Sequence, residues 1–392
     1  MKIAISGAGV AGPALAYWLC RIGHEPTLIE RAPRFRTGGY VVDFWGVGYH
    51  VADRMGIGPA IRDAGYQVRA IRSVGSNGGT RARLGVDAFR RASGGKYISI
   101  PRGDLAAAIY AAVEHDVEAI FGDSITAIDE LDDGVHVCFE RGQPRDFDLV
   151  IGADGLHSNV RRLAFGPESD FEHYLGCLVA ACVVDGYPHR DELVYITHSQ
   201  PSRSVARFSL RNNRTLFLFV FRGERPRHID DEAACIAALR DEFADDGWES
   251  DQILAAVDGV DDLYFDVVSQ IRLDRWSQGR VLLIGDAAAC VSLLAGEGTG
   301  LAITESYVLA GELLRANGDH RRAFQAYEAR MRPFVEGKQA SAENFIPIFA
   351  TQTRMGIWFR DLAMRAMNLR PLGDLLVGRG LRDDFDLPDY AM

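Results

Sequence analysis

Between Lys2 and Gly12 the chain reads Lys-Ile-Ala-Ile-Ser-Gly-Ala-Gly-Val-Ala-Gly, a G-x-G-x-x-G turn set directly after a short apolar strand. The pattern continues into a helix over Pro13–Leu19 and a second strand over Pro26–Ile29 that ends in Glu30. Each glycine has a mechanical task. Gly7 permits the tight turn, Gly9 lets a pyrophosphate approach the backbone, and Gly12 lets helix and strand pack closely, with Val10 and Ala11 completing the turn. The helix N-terminus turns free N–H groups and the positive end of its dipole toward the phosphates. Glu30, about 20 residues on, sits where a carboxylate holds ribose hydroxyls, and Arg31 follows it. Strand, glycines, helix, strand and acid in register predict a dinucleotide site, without saying which dinucleotide.

The 392 residues suffice for two domains with sizeable cores, and the 47% hydrophobic, 25% charged composition is that of a folded globular protein. A formal net charge of −11 speaks against nucleic acid, because the basic pairs Arg90-Arg91 and Arg161-Arg162 are too short to neutralise a phosphate backbone. The glycine motif starts at residue 2, leaving no room for a signal or transit segment in this chain, so a cytoplasmic location is expected. The six cysteines, at 20, 138, 177, 182, 235 and 290, have no C-x-x-C spacing. They predict buried thiols, with neither a metal site nor disulfides. No apolar run approaches the ~20 residues that span a bilayer.

Beyond the first βαβ unit the chain carries the glycine-bearing segment Arg36–Trp45 and a predicted helix over Gly48–Met55. Residues 66–98 read as strand-like with a turn at 75–79, and an alanine-rich helix covers Leu105–Val113. Asp148–Gly155 reads as a buried strand reaching a tight loop. Cys177–Val184, Leu193–Thr197, Ala206–Leu210 and Leu216–Phe221 are then short strands of a mainly antiparallel sheet, broken by a helix near Asp231–Phe243. Arg280–Asp286 restores the buried parallel strand and Gly296–Leu314 the helix. The organisation expected is a Rossmann-type α/β cofactor domain (residues 1–70, 98–170 and 274–330). A β-sheet substrate domain (71–97 and 171–273) is inserted in it, and a C-terminal helical segment spans 331–392.

Three separated elements carry a family likeness: Gly7–Gly12 with Glu30, then Asp148–Arg161, then Gly285-Asp286-Ala287-Ala288 followed by Gly296-Glu297-Gly298. In this order, with a β-sheet inserted before the third, the chain resembles group A flavoprotein monooxygenases of the para-hydroxybenzoate hydroxylase type. It is similar to bacterial members that inactivate tetracyclines or tailor polyketides. The resemblance covers residues 1–330 and implies FAD, with NAD(P)H docking transiently because no second glycine-rich unit exists. It implies that Asp286 contacts the ribitol and that Gly296 and Gly298 let the flavin ring lie against backbone, with Gly285 and Thr299 also in the cofactor site. Arg102 is expected at the phosphate and ribityl region, and Asp154 opens the motif tied to both cofactors or simply caps a helix. Gly38, Gly39 and Asp43 match the segment beside the ring. Arg36 is either a flavin contact or an exposed loop residue, and His50 and His157 read as structural. One departure stands out: Ala289–Ala295 contains no proline where relatives carry one or two.

The activity implied is hydroxylation of an aromatic or polyketide-like molecule with molecular oxygen, through a flavin C4a-hydroperoxide. Asp43 is the candidate catalytic group, and no metal is involved. An oxidase, dehydrogenase or flavin-assisted cyclase, or a non-catalytic flavin-binding protein, stays open. The substrate pocket is expected between the inserted sheet and the flavin, lined by Phe208, Phe219 and Phe221. The C-terminal helices carry Phe345, Ile348, Phe349, Ile357, Trp358, Phe359 and Leu362, expected to pack on the body with Trp358 buried and Pro347 bending the helix. The acids Glu336, Glu343 and Asp361 speak against a membrane.

Overall fold

The architecture is that of a computed structural model describing residues 1–35, 40–188, 190–226, 231–260, 262–369 and 385–392, apart from the side chains at 88 and 92. Its first layer is a six-stranded sheet. The strand Lys2–Ser6 lies inside it, paired in parallel with Glu25–Glu30 on one side and Leu149–Gly152 on the other. Glu118–Phe121 extends one edge in parallel, Val281–Leu283 the other, and Ser277–Gln278 closes that edge antiparallel. Ile3, Ile5, Leu28, Val150, Ile151 and Leu282 are buried, as strands covered on both faces require. The helices Ala11–Arg21 and Gly298–Arg315 pack on each other above it, which carries the N-termini of both toward the same end of the strands.

The second layer is a seven-stranded sheet in the order Tyr264–Ile271, Glu172–Asp185, Arg214–Arg222, Arg203–Leu210, Val194–Gln200, Ala70–Val74, Thr80–Gly85. All neighbours run antiparallel except Val194–Gln200 against Ala70–Val74. Its two faces divide cleanly by the period of two. Phe217, Phe219 and Phe221 lie with Leu178, Ala180 and Val267 under the helices Glu232–Phe243 and Ser250–Val257. Leu218 and Val220 lie on the other face with Val179, Val268, Leu293 and Leu294. A two-stranded ribbon, Val41–Trp45 against Tyr97–Pro101, stands between the sheets. The helix expected at Gly48–Met55 runs over Gly46–Arg54.

The C-terminal region departs from expectation in orientation. The helix His320–Ala342 accommodates Pro333 in its interior, while Pro347 opens a separate short helix, Ile346–Phe349, rather than bending one. In the next helix, Arg354–Ala366, Ile357 and Asp361 point inward, and Trp358 is 59% exposed, not buried. Polar anchors decide this: Arg360 donates to Ser199 Oγ at 3.0 Å and to the Ile348 carbonyl at 3.1 Å, Arg365 to the Arg81 carbonyl, and Asn368 to the Arg83 carbonyl at 2.6 Å. These bonds turn the aromatic side of the helix outward. The last described residues return to the long Gly298–Arg315 helix, where the Tyr390 hydroxyl donates to buried Glu312 at 2.5 Å.

Phe219→Ala should lower the free energy of unfolding by ~3–5 kcal/mol, the usual cost of truncating a buried aromatic. Trp358→Ser should change it by no more than about 0.5 kcal/mol. Chemical denaturation of the two variants checks the assignment of inner and outer faces, and a large loss for Trp358→Ser would overturn it.

Candidate functional site

The glycine loop is built on backbone contacts that admit no side chain. Gly7 has φ +105°, and a Cβ there would run into the Ala153 carbonyl; a Cβ on Gly12 would overlap the Gly7 carbonyl oxygen. At Gly9 the nearest atom is Arg102 Nη2, 3.8 Å from where a Cβ would be, so the loop stays open toward a guanidinium. The helix Ala11–Arg21 has neither a side-chain cap nor an acid in its first turn, which leaves its leading N–H groups to an anion. Glu30 has a second task that the motif did not reveal: its carboxylate accepts from Ala8 N at 2.9 Å and Ala32 N at 2.8 Å, bracing the loop against the strand end. Arg31 is exposed.

Opposite this loop, Gly285 at φ +60° turns the chain out of the strand into Asp286. A Cβ on Gly298, the first residue of the long helix, would lie 3.4 Å from Asp286 Oδ1, so carboxylate and helix N-terminus meet with nothing between. Burial raises the Asp286 carboxyl, with the Arg102 charge working the other way. Arg102 is itself placed by its N–H, which donates to the Tyr40 carbonyl at 2.9 Å. Burial pushes the Tyr40 phenol up to about 12, and its ring lies 5.4 Å from that of Tyr264. Thr299 is buried in the first turn of the long helix, and Gly296 ends the preceding turn in the left-handed region at φ +69°. Gly39, with Arg36 and Gly38, lies outside the described residues.

Asp154 supports the start of the helix Asn159–Ala164, a role compatible with its place in the cofactor motif. Asp154 accepts from Asn159 N at 2.9 Å, Val160 N at 3.1 Å and the hydroxyls of Ser158 and Ser6 at 2.5 and 3.2 Å, so it staples the helix start to the first strand. Buried Arg161 ties this segment to the Asp286 turn by donating to the Ala287 carbonyl at 3.0 Å. His157 donates to Asp266 at 3.1 Å and Glu168 at 2.9 Å, bonds that raise it to about 10 and keep it charged. It is therefore a structural cation, and His50 lies apart from it beside Lys96 at 3.3 Å.

The proline-free loop is held by side chains instead. Gln270 Nε2 donates to the Val291 carbonyl at 2.9 Å and Gln339 Nε2 to the Cys290 carbonyl at 2.9 Å, both glutamines being buried. Directly after the two clamped carbonyls Ser292 adopts φ +140°, ψ +138°, a region that glycine alone occupies without strain. Glu305 supports the neighbouring turn. Its carboxyl accepts from Gly285 N–H and from the Tyr327 hydroxyl at 3.2 Å, and burial pushes it up to about 7. Sequence reasoning missed Gln270, Gln339, Glu305 and Tyr264, since no local motif marks a residue that acts from another element.

The expected aromatic pocket lining requires correction. Phe219 pairs in register with Val205, and Phe208 with Leu216, so Phe208 and Phe219 project from opposite faces. Phe219 and Phe221 belong to the core under the two helices; Phe208 is on the other face but fully covered, stacked 4.3 Å from Tyr195. The half-buried positions on that other face are Tyr195, Thr197, Ala206, Leu218 and Tyr264. Asp43 accepts from the Ser99 hydroxyl, burial raises its carboxyl, and it lines a small cavity of about 20 Å³ with Gly296, Glu297 and Lys338. Among the described residues no cluster of His, Cys, Asp and Glu could hold a metal.

Comparison with known proteins places this geometry. Residues 1–340 match the family described as FAD binding domain. Rv1260 of Mycobacterium tuberculosis, an uncharacterized protein, is 41% identical over 354 residues, covering 88% of this chain and 93% of that one. A flavin-dependent monooxygenase of Legionella longbeachae is 36% identical over 345 residues, covering 86% and 87%. Among solved structures, the tetracycline destructase Tet(51) is similar with a TM-score of 0.84 and 32% identity, over 99% of both chains.

Two measurements test the supports. A carboxyl whose folded value is raised stabilises the fold fully below its ordinary value near 4.5, and that contribution is lost as pH rises through about 7. The wild type should lose stability relative to Glu305→Gln over that window, and parallel pH profiles would refute the buried carboxyl. Ser292→Gly should raise stability by about 1 kcal/mol through relief of strain, read as an increased melting temperature.

Proposed function

The chain belongs to the family of FAD-dependent monooxygenases, and from that premise we propose that it hydroxylates an aromatic or polyketide-like small molecule at the junction of its two sheets. The observation that carries the reading is a convergence: Gly9 opens toward Arg102, Asp286 meets Gly298, and a half-buried sheet face mixes ring, hydroxyl and methyl groups. Such a face suits a planar, partly polar substrate better than a highly charged one. The name of Tet(51), a tetracycline destructase, lends support to a polycyclic substrate.

Gly7, Gly9, Val10, Ala11, Gly12, Glu30 and Arg31 are assigned to the adenosine and pyrophosphate end of FAD. Arg102 and Asp286 are assigned to its ribityl region, and Gly285, Gly296, Gly298 and Thr299 to the ring. At Gly9, Gly296 and Gly298 a Cβ would meet no backbone atom within 4 Å, which leaves main chain open for a cofactor to lie against, while Gly7 and Gly12 pack the turn itself tightly. When bound and reduced by a transiently docked nicotinamide cofactor, FAD supplies the activation of molecular oxygen. The protein orients the substrate and excludes water. Asp43, held by Ser99, is assigned as the group that takes up a substrate proton. The same site without oxygen transfer would make an oxidase or dehydrogenase, the alternative that a proline-free loop favours.

Oxidation of NADPH or NADH with aromatic and polyketide substrates under ¹⁸O₂ decides between them. One ¹⁸O atom in the product is expected, and cofactor consumption without label incorporation into any product would overturn hydroxylation. Gly9→Val and Asp286→Ala should each release FAD, read as lost absorbance after gel filtration. Wild-type occupancy in both variants would overturn the site assignment.

A further inference from the structure

Eight large hydrophobic side chains are exposed among the described residues, and seven of them fall between positions 345 and 369. Four of the seven, Met355, Trp358, Phe359 and Leu362, have the spacing i, i+3, i+4, i+7 and form one stripe along the Arg354–Ala366 helix. The helix cannot roll this stripe inward, because Arg360 is bonded to Ser199 on an inner strand, and Arg365 and Asn368 to Arg81 and Arg83 on the edge strand of the seven-stranded sheet. A contiguous apolar surface of this kind marks an interaction site.

The charge around it says what kind. From 345 to 369 the chain carries three arginines and a single acid, in a protein of net charge −11. That acid, Asp361, is largely buried at the floor of the groove beside the stripe, where Arg360 at 3.1 Å compensates its charge. Glu336 and Glu343, which spoke against a membrane in the sequence, precede the stripe and are paired with Arg332 and Arg272. Arg81 and Arg83 on the neighbouring strand, with Arg354 and Arg365, are exposed and meet no carboxylate among the described residues. A groove of about 570 Å³ runs beside the stripe, lined by Arg81, Arg354 and Arg365 together with Trp358, Leu362 and Ser199. Aromatic and aliphatic side chains rimmed by arginines that meet no carboxylate suit an interface of acyl chains and phosphate headgroups.

We propose that this face docks the protein on an anionic lipid surface. The Met355, Trp358, Phe359 and Leu362 side chains enter the headgroup boundary, and Arg81, Arg83 and Arg354 meet lipid phosphates. Attachment is peripheral, since no helix among the described residues is long and apolar enough to cross a membrane. The acidic remainder of the protein is repelled by such a surface, which leaves one orientation of approach. This inference does not depend on the substrate.

Flotation of the FAD-loaded full chain with phosphatidylcholine vesicles, with and without phosphatidylglycerol, tests it. Binding is expected only to the phosphatidylglycerol vesicles, and it should fall in high salt. Trp358→Ser with Phe359→Ser should abolish it while FAD content and melting temperature stay at wild-type values. Arg83→Gln with Arg354→Gln should weaken partitioning roughly fivefold per arginine removed. Failure of the wild type to float with anionic vesicles would overturn the proposal. So would a wild-type dimer in sedimentation that the double serine variant makes monomeric, which would assign the face to a second copy of the chain.

Discussion

Everything at the cofactor end of the molecule depends on how closely Gly12 approaches Gly7. The carbonyl of Gly7 occupies the space where a Cβ of Gly12 would be, and Gly7 in turn lies against the Ala153 carbonyl. The first turn and first helix are thereby drawn to one point with a segment far away in the chain, the loop after Leu149–Gly152. Parallel pairing of Lys2–Ser6 with both neighbours fixes their heights, so the turn, Glu30 and Asp154 all emerge at the same end of the sheet. The long Gly298–Arg315 helix packs on the Ala11–Arg21 helix, and this contact brings its N-terminus and Asp286 to that end as well. A larger residue at either glycine would push helix and strand apart and move every group the cofactor needs.

The proline-free loop shows how the same rigidity is reached by other chemistry. Proline restricts a backbone from within by fixing φ. Here the restriction comes from outside, through two buried side-chain amides that satisfy the Cys290 and Val291 carbonyls. The strain at Ser292 is compatible with this, because a conformation costing about 1–3 kcal/mol persists only where the surroundings over-determine it. The electrostatics next to it follow one rule: burial raises Asp43, Asp286 and Glu305 together, so these acids hold their protons longer than exposed acids do.

What could be read from the sequence was whatever is written contiguously. Gly7 to Gly12 with Glu30, and Gly285-Asp286 with Gly296 to Gly298, are local patterns whose geometry is imposed within a few residues. The substrate face was not of that kind. Whether Phe219 points toward the cofactor or away from it depends on its pairing with Val205, a register set by neighbouring strands and invisible in an apolar run such as Leu216–Phe221. The helix Arg354–Ala366 failed for a related reason. Its stripe was legible, but amphipathicity does not say which side meets the body when Arg360 and Asp361 find partners inside. That Asp154 would support a helix start was legible, since an acid ahead of a helix accepts readily from its free N–H groups, while the N-cap itself is Ser158.

The discontinuous six-stranded sheet also sets an order of events on the ribosome. Lys2–Ser6 and Glu25–Glu30 can pair early, and Leu149–Gly152 can join them once it emerges, but its other edge pairs with Val281–Leu283. Between the two lies the bulk of the inserted sheet. At translation speeds of about 5–20 residues per second, Val150 and Ile151 wait on the order of ten seconds with an unpaired apolar edge. Such an edge is a template for pairing with another chain. Only the arrival of Val281–Leu283 closes that edge, and the finished sheet then buries Val150 and Ile151 completely.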